Sequence, residues 1–139
     1  ARQGVLIKGG VYVEELAKVK VVALDKTGTL TAGEPVVTEV IPAAGFDRQS
    51  LLRVAAAAEQ YSEHPYGKAI VRAADGLALP GAERFLAVPG RGVEAQVEGR
   101  TVRVAFGGAG GPAPLAVTVD GRPAGWLAVA DSPRPEARE

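Results

Sequence analysis

Asp25 opens the run Asp25-Lys26-Thr27-Gly28-Thr29-Leu30 and follows the apolar stretch Val21-Val22-Ala23-Leu24. A carboxylate at the end of an apolar strand, before a Gly/Thr-rich turn, can attack a phosphorus atom and carry the phosphoryl group as an aspartyl phosphate. Ligands of open α/β sheets bind outside the carboxyl ends of the strands, where this aspartate would stand. Lys26 and the amides of the turn offer positive charge to anionic oxygens. Two residues on stands Thr27. A second carboxylate so near the first could serve as a general acid or a general base. Threonine does neither near neutral pH, so the phosphorylated aspartate is expected to persist until another group hydrolyses it.

Three other constellations stand out. Glu59 precedes Ser62-Glu63-His64-Pro65, and His64 is the chain's one histidine. By itself this histidine fits a helix cap or a solvent-facing side chain as well as a ligand contact. Pro89-Gly90-Arg91-Gly92 is a Gly-x-Gly segment whose glycines permit a close approach of backbone to ligand; a bulge or turn would use the same residues. Asp131-Ser132-Pro133-Arg134-Pro135 reads as a proline-rich linker.

The elements that must position these groups follow from periodicity. Val11 to Lys18 forms a short helix with Val13, Leu16 and Ala17 on one face. Lys20 to Leu24 reads as a strand buried on both faces. Ala32-Gly33-Glu34-Pro35 reads as a breaker and hinge, and Val36 to Ile41 as a strand. Asp47 caps a helix running to about Tyr61, with Leu51, Val54, Ala55 and Ala58 at helical spacing. Pro65 starts a second helix that carries Ala69, Ile70, Ala73 and Ala74 and stops by Gly76. Ser62, Glu63 and His64 form the corner of this helical hairpin.

Val93, Ala95 and Val97 then alternate with Glu94, Gln96 and Glu98, which predicts a strand with one polar face. Glu98-Gly99 turns into Thr101 to Val104. Asp120-Gly121 joins Leu115–Val119 to Pro123–Ala130 as a hairpin. Antiparallel strands backed by a helical hairpin make an α+β layer. Ala105 to Pro114 holds four glycines and two prolines and reads as a flexible loop.

Composition narrows the function. The chain has 139 residues, enough for one ordinary domain. Its 16 Lys+Arg and 16 Asp+Glu give no net charge, which argues against a nucleic-acid or anionic-membrane surface. No run is long and apolar enough to cross a bilayer, and no leader peptide pattern is present. Cysteine is absent, so disulfides and thiolate metal sites are excluded. Asn and Met are absent too, which fits a hot environment or a GC-rich genome. The start at Ala1-Arg2-Gln3-Gly4 reads as an excision from a longer polypeptide.

Asp25 to Leu30, with Thr31 after it, resembles the phosphorylation motif of the P-type ATPases. Glu59 with Ser62-Glu63-His64-Pro65 resembles the nucleotide-binding segment of their heavy-metal-transporting class. Pro89 to Gly92 resembles its Gly-x-Gly segment, and Asp131 to Pro135 its return into the phosphorylation domain. Gly4 to Gly10 resembles the run that leaves the last metal-site membrane helix. Gly9 to Leu16 looks more like Zn²⁺/Cd²⁺-type than Cu⁺-type members. The resemblance covers essentially the whole chain.

The resemblance implies a nucleotide-binding domain over 34–126, with about six antiparallel strands packed on the helical hairpin. Partial α/β segments of the phosphorylation domain would lie at 1–33 and 127–139. It implies ATP and Mg²⁺, with Asp25 as phosphoryl acceptor and Lys26 and Thr27 supporting phosphate. Asp25 and Thr27 would touch the metal only in the intact protein. Glu59 and His64 would read adenine, since an imidazole stacks on a purine and a carboxylate accepts from an exocyclic amine. Gly90 and Gly92 would let backbone lie against the nucleotide, and Asp131 and Arg134 would position nucleotide and hinge.

The implied partners are the rest of the phosphorylation domain, the actuator domain and the transmembrane metal-binding domain of the same polypeptide. The implied setting is the cytoplasmic part of a plasma-membrane protein that exports a heavy metal. A nucleotide-binding module without catalysis of its own is an alternative. A soluble phosphatase of the same superfamily is another, opposed by Thr27, where such enzymes carry a second aspartate.

Two departures from the class carry expectations. Its Gly-Asn pair is replaced by Ala105-Phe106, and the helical segment that normally follows is replaced by the Gly/Pro loop. ATP binding is therefore expected to be weaker than is typical, with Phe106 either packing near the base or serving as core. The chain also stops before the later phosphorylation-domain motifs. Asp25 is therefore expected to be inert in these 139 residues, and its half of that domain poorly ordered.

Overall fold

The structure is a computed structural model and describes residues 6–107, 111, 113–134 and 137. Helix α1 spans Gly10–Leu16 and buries none of its residues. A single π-helical turn covers Lys26–Leu30. Strand β1 (Thr31–Pro42) leads to helices α2 (Arg48–Glu59) and α3 (Pro65–Ala73). Five more strands follow: β2 (Ala82–Val88), β3 (Gly92–Val97), β4 (Arg100–Phe106), β5 (Leu115–Val119) and β6 (Arg122–Pro133).

All six strands form one antiparallel sheet in the order β1-β6-β5-β4-β3-β2. The alternation over Val93 to Val97 is the observed burial: Val93, Ala95 and Val97 face the core, as do Val102 and Val104 opposite them. The two turns at Glu98-Gly99 and Asp120-Gly121 hold all four residues at positive φ, between 51° and 75°, as tight hairpins with right-handed strand twist require.

Helices α2 and α3 cover one face of the sheet. Asp47 caps α2, accepting from the Ser50 amide at 2.8 Å. That contact holds the Asp47 carboxyl below the usual carboxylate range. Leu51 and every residue of Ala55–Glu59 are buried. The alanine run has no bulk, so α2 lies close to both the sheet and α3. The helix ends at Glu59, two residues short of the expected Tyr61.

Two local expectations are corrected. Lys20–Leu24 joins no ladder, and Val21, Val22 and Leu24 are exposed. A strand buried on both faces needs neighbours on each side, and among the described residues none reaches it. Ala32–Pro35, read as a breaker, lies inside β1. The strand absorbs it as a register shift between Thr31 and Pro35, with Gly33 at φ 73°. The β1–β6 ladder pairs Thr31 with Pro133 and Pro42 with Gly125 and carries a second register shift between Val37 and Glu39. Gly4, part of the Ala105–Pro114 loop (108–110 and 112) and Pro135 lie outside the described residues.

Candidate functional site

The corner between α2 and α3 brings four sequence-selected residues together. Glu59, His64, Gly90 and Gly92 line one cleft of about 510 Å³, between the helical hairpin and the ends of β2, β3 and β4. Its walls are largely apolar, with Phe85, Val93, Val104 and Leu115 among them. Concave, mostly apolar space with few polar groups is the usual form of a small-molecule site.

Each polar group is placed by a local reason. His64 is the residue before α3, and its Nδ1 accepts from the Tyr66 amide at 3.2 Å. The neutral ring therefore carries its proton on Nε2. Helix capping and a place in the cleft are combined in one side chain. Glu59 ends α2 and is 7 % exposed. Among the described residues its Oε2 has no hydrogen-bond partner. Burial pushes its carboxyl above the usual range, and the Ser62 hydroxyl opposes part of that rise. Gly67 makes room for it, because a Cβ there would overlap Glu59 Oε2 and the Ser62 side chain.

The two glycines of Pro89–Gly92 differ in physical role. Gly90 turns the chain at φ 72° with open space around it. Gly92 starts β3 against β4, and a Cβ there would overlap the Val104 carbonyl oxygen.

A second cleft of about 610 Å³ adjoins the first. It shares His64, Tyr66 and Phe106 with it and adds Lys26, Gly33 and Asp131. The two form a path from Glu59 toward the turn that follows Asp25. Asp25 itself is exposed and lines neither cleft. Of Thr27 only the backbone is described, within the π-helical turn.

Asp131 and Arg134 hold that turn against β6. Asp131 Oδ2 accepts from the Thr31 hydroxyl, which itself accepts from the Gly28 amide at 3.2 Å. Arg134 donates through Nε to the Thr31 carbonyl at 3.1 Å and through Nη2 to the Gly28 carbonyl at 3.3 Å. Arg134 lines neither of these two clefts. Among the described residues no group of three or more His, Cys, Asp or Glu could hold a metal ion, so a Mg²⁺ ion held through Asp25 would take its other ligands from elsewhere.

Sequence reasoning missed Tyr66, Phe85, Gly67 and the anchoring role of Thr31. Tyr66 follows the proline that starts α3, which was a usable signal. Gly67 gave none, since its role exists only where α3 passes Glu59.

Residues 19–139 match the family of haloacid dehalogenase-like hydrolases, and the chain belongs to that family. Its relatives there are heavy-metal P-type ATPases. It is 47% identical to a probable cobalt/nickel-exporting P-type ATPase of Mycolicibacterium smegmatis, over 99% of this chain and 24% of that protein. It is 51% identical to a zinc/cadmium/lead-transporting P-type ATPase of Escherichia coli, over 78% of this chain and 15% of that protein. Its fold matches a zinc-transporting PIB-type ATPase crystallised in the E2.Pi state, with a TM-score of 0.81 and 40% identity over 98% of this chain and 25% of that one. The chain thus spans about a quarter or less of these three proteins. No helix among the described residues is long and apolar enough to cross a membrane.

Proposed function

We propose that this chain is the ATP-binding part, with the phosphoryl-accepting loop, of a heavy-metal-exporting P-type ATPase. The observation that carries this reading is the shared cleft of Glu59, His64, Gly90 and Gly92, continuous with the space at Lys26 and Asp131. The base would lie between His64 and the Gly90–Gly92 backbone. Its exocyclic amine would donate to Glu59, whose buried Oε2 has no partner among the described residues. The phosphates would run toward Lys26, whose ammonium offsets their charge.

In the intact pump the Asp25 carboxylate would attack the γ-phosphorus. The bond to the β–γ bridging oxygen would break, ADP would leave, and the aspartyl phosphate would remain. Mg²⁺ would offset charge on the phosphates, with Asp25 and Thr27 as this chain's contributions and the other ligands from elsewhere in the polypeptide. Domain closure would bring nucleotide and Asp25 together, and the phosphorylated state would bias the membrane domain. The proposed division is 34–126 for nucleotide and 1–33 with 127–139 for the phosphorylation domain, facing the cytoplasm. The relatives at 47% and 51% identity are named for Co/Ni and Zn/Cd/Pb, which favours a divalent cargo over Cu⁺.

The second reading, binding without turnover by these 139 residues alone, is supported by the exposed Asp25, which lines neither cleft. An NMR titration with ATP, read at His64, Gly90 and Gly92, tests the site. Saturable shifts that weaken in His64→Ala are expected. No shifts at millimolar ATP would sink the nucleotide reading. Acid-stable phosphate on Asp25 of the isolated chain would overturn the second reading.

A further inference from the structure

We propose that Phe106 is a base-stacking residue of this site, forming with His64 and Tyr66 a corner of three rings that grips a purine nucleotide by the face of its base. The proposal rests on the nucleotide reading above and assigns it a residue.

Phe106 ends β4 in the same phase as Val102 and Val104, which are each 1 % exposed. By alternation it should be core. It is instead 41 % exposed. The strand carries it past the edge of the helical hairpin, so its ring overhangs the start of α3 instead of entering the core. There it meets His64 with ring centroids 5.7 Å apart and planes at 66°, and Tyr66 at 5.5 Å and 40°. His64 and Tyr66 meet at 5.3 Å and 79°.

These are edge and tilted contacts, which leave ring faces free for a fourth flat partner. The ring does not plug the site, because the adjoining cleft keeps about 510 Å³, within the usual range for small-ligand pockets. Phe106 also lines the cleft that reaches Lys26 and Asp131. It therefore stands where a ligand would pass from base to phosphates. A phenyl ring has no hydrogen bond to give, so its contribution comes from the π-face.

The test uses the full chain with ATP, adenosine and inorganic triphosphate as separate probes. Phe106→Ala is expected to weaken ATP and adenosine alike, by about tenfold for one lost stacking contact, and to leave triphosphate binding unchanged. Phe106→Trp is expected to restore affinity, with its indole emission quenched at saturation. Unchanged or tighter binding of ATP by Phe106→Ala, while His64→Ala loses it, would overturn the stacking role and leave the nucleotide reading standing. So would an equal loss for triphosphate, which marks a merely structural effect. Failure of the unaltered chain to bind either ATP or adenosine would remove the nucleotide reading and this proposal with it.

Discussion

The Thr31 hydroxyl donates to the carboxylate of Asp131, a residue 100 positions further along the chain. The same hydroxyl accepts from the Gly28 amide. One side chain therefore ties the turn after Asp25 to the strand by which the chain leaves the sheet. Thr31 is 5 % exposed, and Asp131 Oδ1 already lacks a partner among the described residues. Thr31→Val would leave the whole carboxylate unpaired at that junction. A loss of about 1–3 kcal/mol is expected, the usual cost of a buried polar group left unmade. Gly28 should exchange its amide proton faster, and Thr31→Ser should restore both. A Thr31→Val chain with unchanged unfolding midpoint and Gly28 protection would contradict the anchoring role.

Glu59 should make stability depend on pH in a particular direction. Its folded carboxyl lies above the usual range because of burial. The folded state thus holds its proton longer than the unfolded chain, so stability falls as pH rises from the unfolded value of about 4.5 through the raised one. Glu59→Gln removes that penalty. Its melting temperature relative to the unaltered chain should rise between pH 4 and 8, while its response to ATP weakens. A pH-independent difference in melting temperature would count against the burial argument.

The two glycines of the Gly-x-Gly segment should respond differently to alanine. Gly92→Ala forces a Cβ into the Val104 carbonyl, and overpacking of this kind usually costs about 1–3 kcal/mol or more. Gly90→Ala meets no atom within 4 Å and bears only the positive-φ penalty, about 1–2 kcal/mol. Denaturant unfolding of the two variants should rank Gly92→Ala as the more damaging. The reverse order would mean that the β3–β4 approach is looser than described.

Gly67→Ala offers a separate probe of the helix corner. The added methyl would collide with Glu59 and Ser62 at once. Both stability, by about 1–3 kcal/mol, and the ATP-induced shifts at His64 should decline together. Retention of both would show that the corner yields at no cost.

That Glu59, His64, Gly90 and Gly92 share one cleft has a local origin, and particular residues show why. Glu59 and His64 stand at the end of one helix and the start of the next, so a helical hairpin brings them to a single corner. Gly90 and Gly92 stand in a turn between strands. Strand phase was equally readable from Val93 to Val104, because a sheet with one wet face requires alternation. Lys20–Leu24 misled for the opposite reason. An apolar run signals burial, but whether it becomes a strand depends on neighbours that sequence-local pattern does not supply.

Local chemistry therefore determined which groups this protein carries: a carboxylate beside a Gly/Thr turn, a histidine before a proline, glycines where backbone must turn or approach. It also determined the hairpins at Glu98-Gly99 and Asp120-Gly121, since positive φ is a property of one or two residues. Tertiary structure alone decided that Thr31 meets Asp131, that Gly67 clears space for Glu59, and that Phe106 leaves the core to face His64 and Tyr66. Those relationships depend on distances between elements far apart in the chain, which no local period encodes.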